Sequence, residues 1–165
     1  MIVKFGKDGE ITMEYKINSC NYNIKDLIRI IIQEFNIDYW DKWLEKQDYK
    51  SLMKKPNIFV SCEENNRLIG ICSIKICSNK NVYLNSFYVL KEYRNKGIGT
   101  KLYKICENCA KTSNHQRIDL VVDPHFKEAI EFYKKKNYIY DYYDEERKEL
   151  HYHKNIEGVN SNEKK

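Results

Sequence analysis

At 165 residues the chain has the length of one domain. With 42% hydrophobic and 32% charged residues it can pack a core and is not wholly disordered, and 6 Gly and 2 Pro exclude collagen-like or linker-like architectures. A net charge of +5 is well short of the footprint of a dedicated nucleic-acid protein. No run approaches the roughly eighteen apolar residues of a membrane span. Met1 to Gly6 lacks the apolar stretch and cleavage site of a signal peptide, so the cytoplasm is the expected location, with no membrane partner. Of the cysteines, Cys20, Cys62, Cys72, Cys77, Cys106 and Cys109, four fall in apolar runs and read as buried free thiols. Cys106 and Cys109 have CxxC spacing, but no second pair completes a zinc site.

Val3 to Ile17 alternates apolar and polar residues around Asp8-Gly9, which predicts a β-hairpin. Asn23 is placed to cap a helix carrying Ile24, Leu27, Ile28, Ile31 and Phe35 on one face. A second helix, from Tyr39 to Lys54, is stopped by Pro56. Three strands follow, Ile58 to Cys62, Leu68 to Cys77 and Val82 to Leu90, separated by short polar turns. The loop Lys91 to Gly99 enters a helix with Leu102, Ile105, Cys106 and Cys109 on one face. Ile118 to Val122 reads as a buried strand, and Asp123-Pro124 as cap and first turn of a helix bearing Phe126, Ala129, Ile130 and Tyr133. Strands Tyr138 to Tyr143 and Leu150 to Ile156 complete residues 1–156, read as a single domain, before a polar, disordered tail at 157–165. The fold class is therefore α/β of the α+β type. Its central sheet is mixed and mostly antiparallel, with about seven strands flanked by about four helices.

The sharpest chemical feature is Tyr93-Arg94-Asn95-Lys96-Gly97-Ile98-Gly99-Thr100, set between strand and helix. Glycines let backbone N–H groups turn toward a ligand, the helix start adds partial positive charge, and Arg94 and Lys96 add full charges. Such a loop suits phosphate groups. It is neither a Rossmann fingerprint, since Leu102 replaces the third glycine, nor a P-loop, since no Gly-Lys-Ser/Thr follows. Seven basic and two acidic residues lie between Lys91 and Arg117, which is the whole net excess. This local field fits one polyanionic cofactor better than a long nucleic acid, and no nucleic-acid partner is expected.

These residues carry a resemblance to the GNAT superfamily of acyl-CoA-dependent N-acyltransferases. Leu84 to Gly99 is similar to that family's fourth strand and pyrophosphate loop. Ala129-Ile-Glu-Phe-Tyr133-Lys-Lys-Lys-Asn-Tyr138 is similar to its next helix and the run into a strand. The resemblance implies a GNAT-like fold and acetyl-CoA as co-substrate. The backbone of Phe87, Tyr88 and Val89 would pair with the pantetheine arm, and the amides of Arg94, Asn95, Lys96, Gly97, Ile98, Gly99 and Thr100 would wrap the pyrophosphate. The thioester would lie between Val82–Leu90 and Ile118–Val122, with Tyr133 as the acid that protonates the thiolate and an N–H near Val89 holding the oxyanion. The reaction implied is acetyl transfer to a primary amine, expected to be a small molecule. A protein lysine or N-terminus, or a CoA-binding sensor without catalysis, are the alternatives. Family members are often dimers, and a homodimer is compatible with the chain.

Two positions depart from the family pattern. Asn85 stands where many members carry a glutamate base, and an amide takes no proton. Phe126 stands where many carry an asparagine. The base is therefore unassigned among His125, which is preferred, Asp123, Glu34 and water. Tyr133 also fits a plain helical core stripe, and His125 a solvated first turn. Glu34, Asp38 and Asp41 beside Tyr39, Trp40 and Trp43 suit a cationic acceptor, or a solvated helix over buried tryptophans. His151 and His153 share a strand face but lack a third ligand, so no metal is expected.

Overall fold

The computed structural model describes residues 2–5, 13–18, 57–65, 67–78 and 80–157. In chain order the described elements are β1 (Ile2–Phe5), β2 (Met13–Ile17), β3 (Ile58–Glu64), β4 (Arg67–Ile76), β5 (Asn81–Val89), α1 (Ile98–Thr112), β6 (Arg117–Val122), α2 (Lys127–Lys135), β7 (Ile139–Asp144) and β8 (Glu149–Asn155). The hydrogen-bonded strand order is β1-β2-β3-β4-β5-β6-β8-β7. β5 and β6 pair in parallel, whereas β1–β2, β2–β3, β3–β4, β6–β8 and β7–β8 are antiparallel. The mixed, mostly antiparallel sheet is thus present, with eight described strands where about seven were expected. Two of the four expected helices are described. The helices read at 23–35 and 39–54, the Asp8-Gly9 turn and all but the first residue of the tail lie outside the described residues.

Contacts divide the chain into two compact units, Met1–Ile74 with Ser86–Cys106, and Lys75–Asn85 with Glu107–Lys165. In the first unit, β3 is buried from Ile58 through Glu63 and β4 from Leu68 through Ile74. Both strands read as continuous apolar runs because both of their faces are covered. α1 contributes Ile98, Leu102, Tyr103 and Cys106, which recur at helical spacing and pack into the core with Phe59, Ile69 and Leu90. Each such side chain, fully buried, contributes about 1.5–3 kcal/mol. The Cys106 thiol donates to the Cys72 carbonyl at 3.2 Å, so half of the CxxC pair serves packing.

Gly70 sits mid-strand, where glycine normally weakens a sheet. A Cβ there would lie 2.9 Å from Leu102 Cδ1, 3.0 Å from the Tyr88 carbonyl oxygen and 3.3 Å from Val89 Cγ2. Leu102 could rotate away, but the backbone oxygen cannot. Gly70→Ala is therefore expected to destabilise the protein by about 1–3 kcal/mol in urea titrations, and an unchanged midpoint would show that the backbone yields freely.

In the second unit β6 alternates, burying Ile118, Leu120 and Val122, and Leu120 faces Tyr152 of β8 across the ladder. Tyr133 of α2 and Tyr138 close the same core. β7 is the edge strand and leaves Ile139, Tyr140 and Tyr142 about half exposed.

One local expectation is corrected. Asp123-Pro124 does not open the helix; α2 begins at Lys127 with Phe126 at its N-cap. The Asp123 carboxylate accepts from the His125 N–H at 2.8 Å, its carbonyl from the Phe126 N–H at 3.0 Å, and the His125 carbonyl from the Lys127 N–H at 2.9 Å. Asp123 caps a turn of its own, and Phe126, at ψ 63°, breaks the helical path between that turn and α2.

Candidate active site

Within the second unit, parallel pairing of β5 with β6 covers Asn81↔Arg117, Val82↔Ile118 and, last, Tyr83↔Asp119. Tyr83 stands at that point. Burial, then the Glu149 carboxylate, pushes its phenol up to about 12, while a hydrogen bond from the Val121 backbone opposes the rise. Tyr83 therefore stays a neutral hydroxyl at any physiological pH. Nothing in the spacing of the sequence singled it out among fourteen tyrosines.

β5 ends with Phe87, Tyr88 and Val89, of which Tyr88 and Val89 are buried. A single 3-10 turn, Lys91–Tyr93, follows and is closed by hydrogen bonds from the Tyr93 N–H to the Leu90 carbonyl and from the Arg94 N–H to the Lys91 carbonyl. The chain then crosses two left-handed residues, Asn95 at φ 60° and Gly97 at φ 78°. Asparagine tolerates that region and glycine occupies it without strain. The Lys101 N–H bonds the Gly97 carbonyl at 3.0 Å, so the amides of Ile98, Gly99 and Thr100 precede the helical ladder. No acidic residue stands in this first turn, and the positive end of the helix is unopposed by its own side chains.

The two loop glycines answer different needs. Gly97 has no atom within 4 Å of an added Cβ and is required for its positive φ. At Gly99 an added Cβ would meet Phe87 Cζ at 3.2 Å, so this glycine lets α1 approach the strand. Arg94 turns back over the sheet: its Nε donates to the Val89 carbonyl at 3.0 Å and its guanidinium lies 5.4 Å from the centre of the Tyr88 ring. Lys96 is exposed, with Nζ 5.2 Å from the centre of the Tyr93 ring. Phe87 to Thr100 are thus one contiguous construction of the first unit. Its amides and charges suit a bound di- or polyanion.

Tyr133 belongs to the second unit. It is 7% exposed, which places most of its ring in the core, edge-on to Phe132 and Tyr138 with centroids 5.8 and 5.5 Å away. Its own carbonyl accepts from the N–H groups of Lys136 and Tyr138, which ends the helix and turns the chain toward β7. His125, the preferred base, lies on the turn before α2 with a 93% exposed side chain, its Nδ1 2.7 Å from the Asp123 carboxylate. Asn85 is half-buried on β5. His153 Nδ1 lies 2.6 Å from Asp141, and His151 stacks on Tyr142 at 4.2 Å with Asp144 4.0 Å from its Nε2. Each of these three histidines has a carboxylate neighbour, and no group of three or more metal-ligating side chains occurs among the described residues. Glu34, Asp38, Tyr39, Trp40, Asp41 and Trp43 lie outside the described residues.

The model of the Acetyltransferase (GNAT) family matches residues 24–138, well over half of the chain. The chain belongs to the GNAT family. Solved structures agree in fold. An acetyltransferase from Streptococcus agalactiae 2603 superposes with a TM-score of 0.70 at 22% identity, covering 87% of this chain and 98% of its own. A GNAT family acetyltransferase from Elizabethkingia anophelis with acetyl-CoA bound gives a TM-score of 0.66 at 12% identity, over 91% and 100%. PaiA N-acetyltransferase from Thermoplasma acidophilum in complex with coenzyme A gives 0.60 at 19%, over 86% and 99%. No curated protein matches the sequence. In this GNAT chain the loop between β5 and α1 falls within the matched residues.

Proposed function

We propose that residues 1–156 act as one acyltransferase domain that moves the acetyl group of acetyl-CoA to a primary amine of a small molecule. The observation that carries this reading is the phosphate-suited loop from Arg94 to Thr100, closing on a helix start with no acidic side chain, in a chain of the GNAT family. Amides of this loop hold the pyrophosphate, and the backbone of Phe87, Tyr88 and Val89 aligns the pantetheine arm. A neutral amine attacks the thioester carbonyl to form a tetrahedral oxyanion, held by an N–H near Val89. The C–S bond then breaks, the thiolate takes a proton from Tyr133, and the amine nitrogen loses one to solvent or a base. Asn85 cannot accept that proton. Five described cysteines are free thiols, which fits a reducing compartment such as the cytoplasm, and no described helix is long and apolar enough to cross a membrane.

Asn85 also favours a second reading, a GNAT fold that binds CoA as a sensor. An amine panel with isotopically labelled acetyl-CoA, read by mass spectrometry and free-thiol release, separates the two. Acceptor-dependent transfer to a small amine is expected. Label appearing only on a protein lysine or N-terminus would replace the small acceptor with a macromolecular one. Tight CoA binding with no turnover on any acceptor would leave the sensor.

A further inference from the structure

Two carboxylates stand against the loop just described, where negative charge should repel a pyrophosphate. The end of β3 and the start of β4 supply Glu64 and Arg67, paired with each other across the ladder. Glu64 accepts a hydrogen bond from the Tyr93 hydroxyl at 2.6 Å, and Arg67 Nη2 lies 2.9 Å from Glu92. The Tyr93 ring is flanked by two cations, Arg67 at 5.9 Å and Lys96 at 5.2 Å from its centre. Two consecutive residues at the mouth of the loop are therefore clasped by one turn of the sheet. In this arrangement each carboxylate has a partner: Arg67 balances Glu92, and the neutral phenol occupies an oxygen of Glu64. Glu64 of β3 thus holds Tyr93 of the loop, and Glu92 of the loop is held by Arg67 of β4.

The magnitudes separate the two contacts. The Arg67–Glu92 pair is more than half exposed on both sides, and such pairs contribute roughly 0–1 kcal/mol. The Tyr93–Glu64 bond is part-buried and ends on a formal charge, so it is the stronger of the two. Glu64 also raises the Tyr93 phenol above its ordinary range, so the donor keeps its proton.

We infer that the β3–β4 turn is a clasp that sets the pyrophosphate loop before the cofactor arrives, with Tyr93 as its positioning residue and Glu64 as its anchor. Without the clasp, the loop must adopt left-handed Asn95 and Gly97 and bring Arg94 and Lys96 together during binding, and affinity is lost to that ordering. The inference rests on the reading of this loop as the pyrophosphate site. The Tyr93 hydroxyl is engaged by Glu64, so its proposed part is to set the loop. Its effect therefore falls on cofactor affinity and not on the chemical step.

The test measures CoA affinity by calorimetry, KM and kcat for acetyl-CoA, and thermal midpoint, in the wild type, Tyr93→Phe, Glu64→Gln, their double variant and Lys96→Ala. Tyr93→Phe keeps the ring and is expected to raise Kd and KM roughly five- to tenfold with kcat within about twofold and an unchanged midpoint. The double variant should be no worse than Tyr93→Phe alone, since that substitution already removes the bond that Glu64→Gln only weakens from a charged to a neutral acceptor. Unchanged CoA affinity in Tyr93→Phe, alongside a weakened Lys96→Ala, overturns the clasp and leaves the loop reading standing. Unchanged affinity in Lys96→Ala together with an unchanged salt dependence of binding overturns the loop reading and the clasp with it. A fall in kcat or in thermal midpoint that matches the loss of affinity would make Tyr93 an ordinary structural residue.

Discussion

Tyr133→Phe is expected to lower kcat for acetyl transfer about a hundredfold or more while KM for acetyl-CoA stays within about twofold. General acid catalysis by one positioned group contributes roughly 10²–10⁴ in rate, and a proton delivered only as the C–S bond breaks leaves ground-state binding unchanged. The substitution is informative because of how the residue is held. The residue is 7% exposed, its ring edge-on to Phe132 and Tyr138, and phenylalanine preserves those contacts. A thermal midpoint measured alongside separates a kinetic loss due to the missing hydroxyl from a loss of fold. Thiol release measured under single-turnover conditions isolates the chemical step from product departure. A kcat within twofold of wild type would return Tyr133 to the role of a core tyrosine and leave the thiolate to be protonated by solvent.

The second large effect concerns folding. Lys16 of β2 is 5% exposed and Glu63 of β3 is 3% exposed, and they form a buried ion pair. Glu14 lies 3.6 Å from the same ammonium, and the Ser61 hydroxyl donates to the other Glu63 oxygen at 3.4 Å. Lys16→Met leaves the Glu63 carboxylate buried without its cation, and breaking such a pair costs about 3–5 kcal/mol. Urea unfolding should show that loss. The double variant Lys16→Met with Glu63→Leu should recover most of it, because a well-packed apolar pair is often as stable as the charges it replaces. A single-variant loss below about 1 kcal/mol would mean that water reaches the pair. The hydrogen bond to Glu63 holds the Lys16 ammonium above its ordinary range. A raised folded value stabilises below the unfolded lysine range and is lost only as pH climbs through the folded value. This contribution is therefore constant across neutral pH and fades only in strong alkali.

Much of the fold was legible because its signals are local. β3, β4 and β5 announce themselves as apolar runs bounded by Glu-Asn and Ser-Asn turns, and their observed ends lie within two residues of the expected ones. The loop from Arg94 to Gly99 was legible for the same reason, since its glycines and cations are neighbours in the chain. Asp123-Pro124 misled because a cap residue followed by proline describes a helix start and a tight turn equally well. The hydrogen bonds of His125, Phe126 and Lys127 chose the turn. His125, preferred as a base because it lies just past the Ile118–Val122 strand, is exposed and sits beside the Asp123 carboxylate, a pairing the sequence did not announce.

The amino-acid sequence by itself determined the order of the described strands and helices and the family, and it singled out the glycine-bearing loop, because each is written in spacings shorter than a helix. Only the tertiary structure decided which charges are buried and what braces the loop. Lys16 and Glu63 are 47 residues apart, and Glu64 and Tyr93 are 29 apart. Strand register brings each pair together, and no periodicity within a single segment specifies the register between two.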